Sequence, residues 1–166
     1  VRDAAWACES LVAAADCALQ AGDLTQAESL LLRAESLLSK PLSGPSLAHR
    51  RLIDALLEEI YLRSSREGLL AALFERRIAD GNLSEVEDTL LRETLLALYC
   101  GILSVPESAA PHQRELLKKS SSDLRLLRRQ VLLARQGGNL ALEEAALQQW
   151  LVVAAGKGQP LVEDLL

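Results

Sequence analysis

The sequence predicts an all-α protein, an antiparallel array of helical hairpins with seven to eight helices, and three observations carry that prediction. Three cassettes, Gly22-Asp23-Leu24, Gly81-Asn82-Leu83 and Gly138-Asn139-Leu140, each stand between Leu/Ala-rich stretches whose apolar residues recur every three or four positions. A glycine ends a helix in the left-handed region without a Cβ clash, and the Asp or Asn after it accepts from free amides of the next helix. Hydrophobic residues make up 49% of the chain but aromatics only 3%, so the core is built from Leu, Ala, Val and Ile, which suits close-packed helices better than a sheet. Finally, 166 residues form one domain able to bury roughly 70% of its unfolded surface without metal or disulfide.

The first helix is expected over Asp3 to Ala21; it is apolar on nearly every side, with Glu9, Asp16 and Gln20 as its polar stripe. The second runs from Leu24 to Ser39 with an apolar stripe at Leu24, Ala27, Leu31, Ala34 and Leu38, and ends before Lys40-Pro41 and the loop Leu42-Ser43-Gly44-Pro45. The third, Ser46 to Arg63, buries Leu52, Ile53, Leu56, Leu57 and Ile60 and exposes Arg50, Arg51, Asp54, Glu58 and Glu59. Ser64-Ser65-Arg66-Glu67 has the pattern of a capping box opening a fourth helix that ends at Asp80; one bent rod through both is the alternative. A second box, Ser84-Glu85-Val86-Glu87, opens the fifth, which reaches Cys100. From Gly101 to Pro111, Ser104, Pro106, Ser108 and Pro111 interrupt the period and predict a hinge or exposed loop. A short helix after Pro111, a longer one from near Ser122, and a last one through Leu140, Ala145, Ala146, Trp150 and Val153 complete the array.

Cys8, Cys17 and Cys100 show no metal-ligand spacing and read as small core residues in a reducing compartment. No apolar run approaches the roughly 20 residues needed to span a bilayer, and no secretory leader opens the chain, so cytoplasm or nucleus is the expected location, with no membrane partner. The chain contains no Met, and Pro160 to Leu166 reads as the first turn of another helix; it is expected to be a fragment of a longer array.

The stretch from Cys8 to Pro41 resembles a tetratricopeptide repeat, a 34-residue helix-turn-helix unit, through Leu11, Ala14 and Ala15, Gly22 at the turn, Ala27, Leu31 and Ala34, and a Pro just past the end. Glu67 to Cys100 follows the same pattern with Phe74 and Val86 at the small-residue positions, and the segment after Ser122 follows it around Gly138. The cassettes recur at 59 and 57 residues, so either further helices lie between divergent repeats or the chain is another α-α array sharing the turn chemistry. The resemblance implies a tetratricopeptide-like superhelix or a right-angled bundle, with a concave surface that holds an extended or helical segment of another protein. Members that clamp a C-terminal carboxylate use a Lys and an Asn where this chain has Val12 and Asp16, so that mode is not expected. Val12, Asp16, Leu19, Gln20, Leu73 and Arg77 are the candidate groove residues, with core packing as the competing role for the apolar ones.

A formal charge of −5 argues against nucleic acid as the main ligand. From His112 to Arg135, however, seven basic residues (Arg114, Lys118, Lys119, Arg125, Arg128, Arg129 and Arg135) face two acidic ones, a stretch suited to an acidic peptide or a phosphorylated segment; pairing with Glu85, Glu87 or Asp88 is the competing reading. His49 and His112 have no Ser, Cys or carboxylate neighbour at a spacing that would assemble a triad or metal site, adjacent acids such as Glu58-Glu59 diverge by about 100°, and no phosphate-cradling motif is present. No enzyme activity, cofactor or metal is expected. Trp6 lies on a first helix with no preceding helix to cover it, and predicts a partner contact, pairing with a second copy, or packing against further sequence. The function expected is a protein-protein interaction module, a scaffold or adaptor subunit; a helical chaperone for an aggregation-prone segment, or a regulatory domain, is the alternative.

Overall fold

The computed structural model describes residues 2–38 and 44–157, and every regular element in them is helical. Eight α-helices follow in order among the described residues: α1 (Arg2–Gln20), α2 (Leu24–Ser36), α3 (Pro45–Arg63), α4 (Glu67–Ala79), α5 (Glu85–Ala97), α6 (Pro106–Lys119), α7 (Leu124–Gln136) and α8 (Leu140–Gly156), with a π turn at Leu98–Ile102 after α5. The all-α array of seven to eight helices is therefore what the chain forms. By internal contacts it divides into two compact units, Val1–Leu73 and Phe74–Leu166.

The corners explain the hairpins. Gly22, Gly81 and Gly138 hold φ of +84°, +68° and +65°, where an L side chain is strained. After α1 the amide of Gly22 donates to Leu19 O at 3.1 Å and that of Asp23 to Ala18 O at 2.9 Å; Gly138 and Asn139 repeat this pair at Arg135 O and Ala134 O. The outgoing helices are capped by Asp23, which accepts from Gln26 N at 2.9 Å, and Asn139, which accepts from Leu142 N at 3.1 Å. Asn82 departs from that plan. Its side chain turns back to Asp80 O, and Ser84 caps α5 through the expected box with Glu87.

The predicted box at Ser64 does not form. Ser64 closes α3 and donates its hydroxyl to Ile60 O at 2.6 Å, while Ser65 takes φ +51° and the amides of Ser65 and Arg66 donate to Leu62 O and Tyr61 O. This is the same two-bond corner as at Gly22, built on a serine, and it makes α3 and α4 separate helices. The expected loop over 101–111 is also mostly helix. Pro106 occupies the first turn of α6, where no amide hydrogen is required, and Pro111 lies inside α6, held there by the buried Ala109, His112, Gln113 and Leu116. Only Leu103 to Val105 connect, with Ser104 at φ +54°. The helix expected to start after Pro111 thus starts at Pro106. α2 stops at Ser36 with Leu37 as its C-cap, short of the expected Ser39; most of the loop after it and the Pro160–Leu166 turn lie outside the described residues, and of that loop Gly44 caps and Pro45 opens α3.

In the first unit α1 packs on α2 and α3 on both, around Cys8, Ala15, Leu19, Ala27, Leu31, Ile53, Leu57 and Ile60. The small Ala15 and Ala27 are almost fully covered, which lets helix backbones come close. In the second unit α5, α6, α7 and α8 pack in sequence order around two cores: Leu96, Ala109, Leu116 and Leu126, and Leu127, Trp150 and Ala154.

Candidate partner-binding groove

The α1–α3 approach leaves an open groove of about 390 Å³ in the first unit, lined by Glu9, Val12, Ala13 and Asp16 of α1 and by His49, Leu52 and Leu56 of α3. Its position follows from what α3 does with its other face. Arg50 and Asp54, expected on the surface, are only 5% and 4% exposed. The Arg50 guanidinium reaches across to Glu35 of α2 at 2.7 Å and lies 3.5 Å from Asp54, an ion pair that keeps this face against α2. The residues one step round the helix, His49, Leu52 and Leu56, then border α1. Leu52, expected in the core, is 49% exposed as a result.

One wall of the groove is a single helical stripe. Trp6, Glu9, Ala13, Asp16 and Gln20 recur at intervals of three and four residues on α1, and all but the half-buried Asp16 are exposed. Trp6 is 72% exposed. His49 Nε2 lies 3.3 Å from a Glu9 carboxylate oxygen, and Gln20 donates to Asp16 at 2.9 Å. The groove is thus an apolar floor between two carboxylates two turns apart, and the Trp6 indole lies about one turn beyond Glu9 on the same stripe.

Of the sequence candidates, Asp16 and the buried Val12 line the groove, and Trp6 and Gln20 lie on the same α1 stripe beyond its two ends. Leu19 and Leu73 are buried in the core, which is their packing role. Arg77 belongs to the second unit, its guanidinium carbon 5.9 Å from the Phe74 ring centroid. The basic stretch is largely answered from within: Lys118 pairs with Glu115 at 2.6 Å, Lys119 with Asp88 at 2.8 Å, Arg125 with Asp123 at 3.3 Å and Arg135 with Glu143 at 2.8 Å. Arg129 lines a small hollow with Glu93, Arg125 and Leu126, and Arg128 is exposed. Glu9, His49, Leu52 and Leu56 were not anticipated as groove residues; the polar stripe of the first helix pointed to Glu9, whereas nothing in the third helix marks Leu52 off from its buried neighbours.

Each histidine also meets a carboxylate from a distant part of the sequence, Glu9 for His49 and Glu75 for His112. In the second unit, Glu75 of α4 lies 2.8 Å from His112 Nε2 and accepts from the Tyr99 hydroxyl at 3.0 Å, and the two rings stack 6.1 Å apart. His112 Nδ1 faces Arg92 at 3.5 Å, and since a guanidinium only donates, the ring proton belongs on Nε2, toward Glu75. Arg92 in turn holds Asp88, which also receives Lys119. With His112 only 4% exposed and both ring nitrogens engaged, this network ties α4, α5 and α6 together. Burial and Glu75 push the Tyr99 phenol up to about 12.

Among the described residues, no group of His, Cys, Asp and Glu gathers to hold a metal ion, and no helix is long and apolar enough to cross a membrane. The cysteines are free and not all in the core: Cys8 is buried, Cys100 half-buried and Cys17 exposed. Cys17 is thus a correction to the expected core placement: it lies on the solvent-facing side of α1 despite its apolar sequence neighbours. No family model, curated protein or solved structure matches the chain.

Proposed function

We propose that this protein is a tetratricopeptide-like interaction module, a scaffold or adaptor subunit whose work is to hold a segment of another protein. The observation that carries the reading is the α1–α3 groove: Leu52 and Ala13 keep apolar surface in contact with water, and single-sided apolar channels between helices are how helical hairpins take up a partner segment. Turn chemistry and the small Ala15 and Ala27 support the family likeness.

The test is a steric one. Ala13 is exposed on the groove wall, so Ala13→Trp fills the channel without touching the core. Stoichiometric partners recovered with the native chain are expected to be lost with Ala13→Trp while far-ultraviolet circular dichroism stays unchanged. Retention of every partner by the folded variant would remove the groove from this role.

A further inference from the structure

The groove's chemistry says what kind of segment fits it. Its lining carries two carboxylates, Glu9 and Asp16, one imidazole and no ammonium or guanidinium group. The Glu9 side chain is 62% exposed, so it is available to a partner beyond its contact with His49. The surrounding unit is acidic as well: through Leu73 the sequence has seven Lys and Arg against ten Asp and Glu. Val12, Ala13, Leu52 and Leu56 between the carboxylates ask for apolar side chains. Trp6 adds an open aromatic face, the best side-chain platform for a cation.

We propose that the groove holds a basic amphipathic helix of a partner protein, its apolar face on Ala13, Leu52 and Leu56 and its Lys or Arg residues against Glu9, Asp16 and Trp6. The spacing sets a register. Glu9 and Asp16 are seven residues apart on α1, about 10 Å along the axis, so the partner presents cations two helical turns apart with apolar residues between them. An acidic segment is disfavoured here by the same carboxylates. This inference rests on reading the α1–α3 groove as the binding surface, and the following experiment separates the two.

Isothermal titration calorimetry of the full chain with a 14-residue leucine-lysine amphipathic helix, and with its leucine-glutamate counterpart, tests the proposal. The lysine peptide is expected to bind at one site, and the glutamate peptide at least about tenfold more weakly. Glu9→Gln/Asp16→Gln keeps side-chain volume and is expected to weaken the lysine peptide about three- to tenfold, as two partly exposed ion pairs would. Trp6→Ala weakens it further, and added salt narrows the difference between native chain and charge variant. Glu85→Gln/Glu144→Gln removes the same charge from the second unit and is expected to leave affinity unchanged. Equal weakening by that control, equal affinity for the two peptides, or no binding of the lysine peptide overturns the basic-partner inference. If Ala13→Trp blocks binding while Glu9→Gln/Asp16→Gln does not, the groove stands and its charge preference falls; if neither matters, both fall.

Discussion

Tyr99 carries the clearest single-residue prediction. Its half-buried ring stacks on His112 and its phenol donates to Glu75, so ionising it would place a second negative charge beside a carboxylate in a partly desolvated site. Its folded value near 12 lies above the ordinary 10, so the stability it contributes is complete below pH 10 and is lost as pH rises through about 12. Absorbance titration at the tyrosinate band is expected to show a step near pH 12 that disappears in Tyr99→Phe. Thiol access divides the cysteines in the same local way. Under native conditions Cys17 is expected to take up an alkylating reagent first, Cys100 slowly, and Cys8 only on unfolding, which peptide mass mapping of labelled protein would read directly. Burial pushes both the Cys8 and Cys100 thiols up, with Glu9 adding to the first and Arg129 partly opposing the second, which reinforces that order.

Corners decide where each helix stops, and two of them rest on serine. Ser65 and Ser104 hold φ near +50°, a region that costs an L residue roughly 1–2 kcal/mol and glycine far less. Ser65→Gly is therefore expected to raise stability by about 0.5–1 kcal/mol in urea unfolding, since the Ser65 hydroxyl makes no bond the corner depends on; the opposite sign would show that the serine holds the turn in another way. The reverse holds for Ser84, whose hydroxyl accepts from Glu87 N while the Glu87 carboxylate accepts from Ser84 N at 2.8 Å. Ser84→Ala is expected to cost about 1 kcal/mol by the same measurement. Sequence spacing alone separated these two serine-glutamate patterns poorly, because both read S-x-x-E. What distinguishes them is the preceding backbone: Ser84 is extended at ψ 161°, free to cap, whereas Ser64 is still in the last turn of α3.

Over the whole molecule, stability in acid depends on carboxylates that answer the basic stretch. The Arg92 guanidinium, joined by Lys119, holds the Asp88 carboxyl below its ordinary 3.8 against an opposing push from burial. A depressed folded value means that this contribution is present above about pH 3.8 and is lost as pH falls through the lower folded value. Asp123 behaves alike: burial raises it, and bonds from Arg125 and the α7 amides outweigh that. The urea midpoint is expected to fall steeply below about pH 4, and Asp88→Asn, already weaker at neutral pH, to fall less over that interval. A parallel loss in both chains would show that Asp88 does not carry the acid limb.

Helix identity, the three glycine corners and the caps at Asp23, Ser84 and Asn139 were legible in the residues, because each depends on contacts within one or two turns of chain. Three apolar positions of α3, Ile53, Leu57 and Ile60, are in the core as expected, whereas Leu56 is half-buried on the groove, and Leu52 and the Arg50–Asp54 pair are exchanged between inside and outside. Whether a helical stripe is buried depends on which neighbour covers it, and Arg50 finds Glu35 fifteen residues away only once α2 and α3 are packed. The same holds for Glu75 and His112, 37 residues apart, and for Glu28 and Arg66, 38 apart. The order of helices and their turns thus belongs to the sequence, through short-range periodicity and backbone sterics. The groove, with Glu9 and Asp16 along one wall and Leu52 on the other, belongs to the tertiary structure, because it exists only where two helices distant in the chain stop short of closing on each other.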